Sequence, residues 1–312
     1  MKILVLGDFE DVYQSTSAAY HLKKKGYEII SVTRPIEEQE MIQLAEGTDA
    51  IVLVRERTTL DRKLISMLRD VKLISQTGKG TAHLDLDALK DHDIEVTTTP
   101  GGSASSVVEL TIGLMIGAAR QFPLHQKLIE DDRWVQTPGM ELNGKQLGIL
   151  GYGTIGKRVA QVGTALGMNI KVWRPTGSET EVLNDNMDVG TLEEVLKTSD
   201  VLSLHMRYSP EWKGFLSKER LQLLKNHAIF INTSRAAFVD EKALAQLIRS
   251  RKLAGAGIDV FSEEPLVHNP YKGCDNIILT PHIGYITAEV LQRFAEAALY
   301  NIDKFFSKTD IL

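Results

Sequence analysis

Gln146-Leu147-Gly148-Ile149-Leu150-Gly151-Tyr152-Gly153-Thr154-Ile155-Gly156 is the stretch on which the fold of this 312-residue chain turns. Gln146 to Leu150 has the length and apolar content of a buried strand, and Ile155, Val159, Val162 and Leu166 follow at helical spacing up to Gly167. The glycines between match G-x-G-x-x-G, a weak pattern alone that gains meaning from a strand before it and a helix after it. In that setting Gly151 makes the tight turn, Gly153 lets a pyrophosphate approach the backbone, and Gly156 lets the helix pack on the strand. The helix start at Thr154 and Ile155 offers N–H donors and the positive end of the dipole to the same anion. A nucleoside triphosphate loop is the nearest rival, since Gly151, Gly156 and Lys157 also fit G-x-x-x-x-G-K. Arg158 excludes it, standing where a Ser or Thr hydroxyl must reach magnesium.

At the end of the next strand an NAD site places an acid on the adenine ribose. Here the chain reads Val172-Trp173-Arg174-Pro175-Thr176, so the charge is reversed. Arg174, with the Thr176 and Ser178 hydroxyls, suits a 2′-phosphate, which favours NADP over NAD.

Working outward, strand-length apolar runs recur at Ile3 to Leu6, Ile29 to Val32, Ile51 to Val54, Leu73 to Ser75 and Ile94 to Thr97. A second set covers Gln146 to Leu150, Ile170 to Trp173, Val201 to Leu204, Ile229 to Asn232, Gly257 to Val260 and Ile277 to Leu279. Polar segments of helix length separate them, the pattern of an α/β protein with two Rossmann-like or flavodoxin-like parallel-sheet domains. Between the sets lie the breaker Thr99-Pro100-Gly101-Gly102 and a helical pattern from Ser103 to Ala119, with Ser106 and Glu109 at capping-box spacing. That helix is apolar nearly all round, which predicts burial against a second copy in a homodimer or between the chain's own domains. A last helix over Thr287 to Phe306 is placed to return to the first domain.

Composition narrows the partners. The net charge of -5 leaves no basic face able to neutralise many phosphates, so nucleic acid is not expected and small metabolites are. The N-terminal run reads as a strand rather than a signal peptide. The most apolar stretch, Val107 to Ala119, carries Glu109 and is followed by Arg120, so no membrane span is expected. Cys274 is the only cysteine, which rules out an intrachain disulfide and makes the reducing cytoplasm the default compartment. The sequence has neither an H-E-x-x-H metal motif nor a G-x-S-x-G nucleophile turn, so no metal site is expected.

Three later segments fall at strand ends, where open α/β sheets bind ligands: Asn232-Thr233-Ser234-Arg235, Asp259-Val260-Phe261-Ser262-Glu263-Glu264-Pro265-Leu266 and Pro281-His282-Ile283-Gly284. In this order, after the dinucleotide loop, they resemble the D-isomer-specific 2-hydroxyacid dehydrogenases. The likeness runs nearly end to end, from Ala50-Ile51-Val52 through Val108-Glu109-Leu110-Thr111 to the last helix. It implies a dinucleotide-binding domain at 100–284 inserted into a discontinuous substrate domain of 1–99 and 285–312, with the active site in the cleft between them. It implies hydride transfer between NAD(P)H and a small 2-oxo acid or D-2-hydroxy acid. Arg235 would hold the substrate carboxylate and polarise its carbonyl, and His282 would be the acid–base. Glu264 would favour the charged imidazole and fix its orientation. Asp259 would contact the nicotinamide carboxamide, Thr233 would lie near that ring, and His205 would stand in the adenine region. In the first domain, Gly78-Lys79-Gly80 resembles the turn whose N–H groups receive the substrate carboxylate, and Arg55 a residue that also reaches it.

The chain departs from the family pattern at four places. Ala236 follows Arg235 where glycine is usual, Ala82-His83 replaces Asp-Asn, His205-Met206-Arg207 lacks a proline, and Tyr285 takes the place of a small residue. Arg207 can assist with a 2′-phosphate, His83 is either a substrate contact or a surface-loop residue, and Tyr285 either narrows the pocket or packs between domains. Two other functions fit the scaffold: a corepressor-like protein that senses the dinucleotide through partners, and a formate- or phosphite-type dehydrogenase.

Overall fold

The computed structural model describes residues 1–99, 101–175, 181–184 and 187–309. Thr176 and Ser178, expected beside a 2′-phosphate, lie outside the described residues, as does Pro100. The chain forms two units, Met1–Ser103 with the segment from Ile286 onward, and Ala104–Tyr285.

The first unit is built on β1 (Lys2–Leu6), β2 (Glu28–Val32), β3 (Ala50–Leu53), β4 (Leu73–Gln76) and β5 (Glu95–Thr98), all parallel in the order β2-β1-β3-β4-β5. This is the flavodoxin-like order. The inner strands β1 and β3 read as apolar runs because both faces are covered. Ile3, Val5, Ala50, Val52 and Leu73 point to one face, where they pack with Ala295, Ala298, Leu299 and Ile302 of the helix Ala288–Thr309. Leu4, Leu6, Ile51, Leu53 and Ile74 point to the other, against Leu64, Ile65 and Leu89. The C-terminal helix therefore belongs to the first sheet, and Ser75 Oγ, inside β4, donates to its Ala298 carbonyl at 2.9 Å. The division between units falls at Ser103, past the Thr99–Gly102 breaker. Thr99 Oγ1 accepts from Gly78 N at 2.6 Å and Gly102 O from Arg293 Nη2 at 3.0 Å, which ties the breaker to the first unit.

The second unit carries β6 (Gln146–Leu150), β7 (Asn169–Trp173), β8 (Glu181–Asn184), β9 (Met187–Val189), β10 (Val201–Leu204), β11 (Ala228–Asn232), β12 (Leu253–Ile258) and β13 (Ile277–Leu279). Among the described residues the order is β13-β12-β11-β10-β6-β7-β9-β8, parallel except for β8, which runs antiparallel to β9 at the edge. β8 and β9 were not expected; four and three residues long, they leave little periodicity to read. β12 starts at Leu253, earlier than the run from Gly257, because its small residues carry a weak hydrophobic signal and a strong packing requirement. A Cβ on Gly257 would stand 2.7 Å from Leu114 Cβ, and one on Gly255 3.1 Å from Asn276 O.

Leu114 belongs to the helix Ala104–Ala119, whose Val108, Leu114, Met115, Ala118 and Ala119 share a core with Leu147, Ile149 and Ile231. Its own sheet thus accounts for its buried face. It begins at Ala104, so Ser106 lies inside the first turn rather than at the expected N-cap. After left-handed Gln121 the helix Phe122–Glu130 leads into an irregular stretch in which Trp134 is 83% exposed; Phe122, Ile129 and Val135 are exposed as well. Among the described residues no single helix is long and apolar enough to cross a membrane.

Candidate active site

Each glycine of the dinucleotide loop has a structural reason. Gly151 has φ +95°, donates its N–H to Trp173 O at 2.8 Å, and a Cβ there would sit 2.6 Å from His205 O. On Gly156 a Cβ would press to 2.1 Å from Gly151 O, so the helix Thr154–Ala165 packs on β6 only without one. Gly153 differs, because nothing lies within 4 Å of its Cβ position. The helix therefore starts with its backbone open to a ligand, the requirement for a pyrophosphate seat. These features fit a dinucleotide.

A cleft of about 720 Å³ opens at the carboxyl ends of β6, β7, β10 and β11, lined by the glycine loop with Arg174, His205, Arg207, Thr233 and Ser234. Arg174 follows β7 directly, where the sequence placed it, and Arg207 joins it on the same cleft. Tyr152 OH donates to Met187 Sδ at 3.0 Å, which pins the loop to β9. His205 holds Ser203 Oγ at 2.8 Å through Nε2, and burial of the ring pushes its pKa down to about 3, so it is neutral. Thr233 Oγ1 meets Thr111 Oγ1 at 2.8 Å, linking the end of β11 to the long helix.

Arg235, Glu264 and His282 are brought together at this edge. Arg235 is extended at the end of β11, exposed, with Nη1 donating to Ser234 O at 2.7 Å. Glu264 Oε2 meets His282 Nδ1 at 2.6 Å while Oε1 accepts from Phe261 N at 2.8 Å, so both carboxylate oxygens are engaged. Burial pushes the Glu264 carboxyl up, but the bonds from His282 and Phe261 N and the charges of His282 and Arg235 outweigh it. Glu264 therefore stays below its ordinary value. With Nδ1 held, Nε2 is the ring atom left to meet a substrate. The Tyr285 ring stands edge-on to His282, centroids 5.9 Å apart.

Asp259, 1% exposed, accepts from Thr280 Oγ1 at 2.6 Å and Ile283 N at 2.8 Å on Oδ1, and from Gly284 N at 2.9 Å on Oδ2. Burial pushes its carboxyl above the usual range, against these bonds and the His282 charge.

In the first unit, Arg55 has φ +58° and lies along the Gly78-Lys79-Gly80 turn, where a Cβ on Gly78 would be 2.2 Å from its Nη1. Its guanidinium is 3.6 Å from Glu56 and over the Phe294 ring at 5.8 Å. Gly78 N is already given to Thr99, which leaves Lys79 N and Gly80 N as the turn's donors. Lys79 is exposed. His83 lies half-buried in a turn before Leu84: Gln76 Nε2 donates to Arg55 O and Thr77 O at 3.0 and 2.9 Å, which turns Gln76 Oε1 toward His83 Nε2 at 3.2 Å. The proton of His83 thus sits on Nε2, and burial lowers its pKa, with Arg55 adding to the effect against Glu56.

Residues 112–284 match the family model described as D-isomer specific 2-hydroxyacid dehydrogenase, NAD binding domain. The chain belongs to the D-isomer-specific 2-hydroxyacid dehydrogenase family. It is similar to the hydroxypyruvate reductase of Thermotoga maritima, 33% identical over 281 residues that cover 88% of this chain and 90% of that one. The glyoxylate reductase of Aeropyrum pernix is 32% identical over 301 residues, covering 92% and 89%. Among solved structures, a phosphoglycerate oxidoreductase from Vibrio cholerae O395 superposes with a TM-score of 0.88 at 31% identity over 99% of both chains. The chain is accordingly an NAD(P)-dependent 2-hydroxyacid dehydrogenase, with a nicotinamide dinucleotide as its cofactor.

Several supporting groups had little sequence signal. Thr111, Ser203 and Phe261 N act through bonds to residues distant in the chain or through the backbone. Thr280 had a faint one, as a hydroxyl directly before Pro281-His282 at a strand end.

Proposed function

We propose that this dehydrogenase interconverts a small 2-oxo acid and its D-2-hydroxy acid with NADP(H) as the preferred cofactor. The observation that carries the reading is the convergence of Arg235, Glu264 and the Nδ1-anchored His282 beside the dinucleotide cleft. The cofactor, when bound, supplies the hydride to the carbonyl carbon or takes it back. His282 gives a proton from Nε2 to the carbonyl oxygen in reduction and removes it in oxidation. Glu264 keeps the ring oriented through its bond to Nδ1. Arg235 takes the substrate carboxylate in its planar fork of donors and withdraws charge from the carbonyl. Lys79 N, Gly80 N and Arg55 form a second donor group of the kind a carboxylate uses. Gly151, Gly153, Thr154, Ile155 and Gly156 seat the pyrophosphate, with His205 and Thr233 on the walls. Arg174 and Arg207 favour the 2′-phosphate of NADP.

The exposed apolar side chains of Phe122, Ile129, Trp134 and Val135, close in sequence, support a homodimer. The single Cys274 supports the cytoplasm as the compartment.

The test is oxidation of NADPH and NADH with glyoxylate, hydroxypyruvate, pyruvate, phenylpyruvate and branched 2-oxo acids. Turnover of at least one acid, faster with NADPH, is the expected result. No oxidation of either cofactor across the panel overturns the reading.

A further inference from the structure

We propose that Thr280 and Asp259 are positioning residues that hold His282 in place for proton transfer. The inference rests on the reading of His282 as the acid–base.

His282 has φ +55°, a left-handed backbone that residues other than glycine adopt rarely and keep only where the surroundings impose it. The imposing group is the buried carboxylate. It grips the chain on both sides of His282, through Thr280 Oγ1 before it and Ile283 N and Gly284 N after it. A shorter bond closes the same loop, from His282 N to Thr280 O at 2.9 Å. Both oxygens of Asp259 thus accept from this loop, and Oδ2, with one bond, keeps a lone pair for a further donor. Gly284 permits the approach, since a Cβ there would lie 3.1 Å from Asp259 Oδ2.

The same residue ties this loop to the Arg235 segment. Asp259 N donates to Asn232 O at 3.0 Å, and the Asn232 side chain accepts from Ser234 N and donates to Arg235 O. The imidazole and the guanidinium are therefore set relative to each other through Asn232 and Asp259, while Glu264 holds the ring itself through Nδ1. Thr280 is the place to probe this, because valine keeps its shape and removes only the hydroxyl donor.

The experiment compares the full-length wild type with Thr280→Val, Thr280→Ser and Asp259→Asn. It measures kcat, KM for the oxo acid and Kd for NADPH by quenching of tryptophan fluorescence. A low-field proton resonance reports the His282–Glu264 hydrogen bond. Thr280→Val is expected to lower kcat about 10- to 100-fold, the range for a lost bond to a charged group, with Kd for NADPH moved by less than about twofold. The low-field resonance should broaden or disappear, and Thr280→Ser should restore both. A kcat for Thr280→Val within about twofold of wild type overturns the proposal, and so does a Kd for NADPH that rises as much as kcat falls. Should Asp259→Asn fail to fold, the two Thr280 variants decide alone. Full turnover in His282→Gln would instead overturn the acid–base reading itself, whatever Thr280 does.

Discussion

Replacing Glu264 by Gln removes one charge and keeps the shape, which isolates what the carboxylate does for His282. The bond is short, 2.6 Å between Nδ1 and Oε2, and the two side chains are 30% and 35% exposed. A hydrogen bond to a charged group contributes about 1.5–3 kcal/mol, and partial exposure to solvent puts this one toward the lower half. A loss of about 1.5–2 kcal/mol of transition-state stabilisation lowers kcat/KM for the oxo acid by about 10- to 30-fold. Initial rates of reduced-cofactor oxidation should show this with KM for the cofactor unchanged. The variant also changes the response to acid. Glu264 sits below its ordinary value of 4.5 when folded, so its pairing stabilises the fold fully above that value, and the contribution is lost as pH falls through the folded pKa. Thermal unfolding should therefore separate wild type from Glu264→Gln near neutral pH, and the gap should close as the pH drops below about 4.5. An unchanged kcat/KM, or a gap that widens in acid, refutes the reasoning.

Other positions give independent checks. Gly156→Ala places a methyl 2.1 Å from Gly151 O, so it should cost about 1–3 kcal/mol of stability and weaken cofactor binding, read by thermal unfolding with and without NADPH. Arg174→Asp should lower kcat/KM with NADPH by about 10- to 100-fold and leave NADH the better cofactor; unaltered preference removes Arg174 from the 2′-phosphate site. For the proposed homodimer, Trp134→Glu should shift the particle toward the mass of one chain in light scattering, and an unchanged mass removes Trp134 from the proposed interface.

Much of the fold was legible because parallel strands covered on both faces leave unbroken apolar runs, as at Ile3–Leu6 and Ala50–Leu53, that need no partner information to read. Legibility failed where the determinant lay in another part of the chain. Gly255 and Gly257 look like weak strand residues until the helix Ala104–Ala119 is laid on them. Ser106 has a capping-box partner in sequence, yet the helix starts earlier, at Ala104. Arg174, Arg235, Glu264 and His282 were visible as charges at strand ends. Their supports were not, because Asp259 reads as a ligand group and shows itself as a loop anchor only through Thr280, Ile283 and Gly284. The sequence left His83 open for the same reason, since its ring is held by Gln76, outside its own turn.

The central claim is that the proton travels through His282. Its most direct test is a single-turnover measurement in which enzyme preloaded with reduced cofactor is mixed with the best oxo acid, for wild type and His282→Gln. A fall of about 10²- to 10⁴-fold in the rate of cofactor oxidation, with cofactor affinity retained, is the predicted result. A rate equal to wild type contradicts the account.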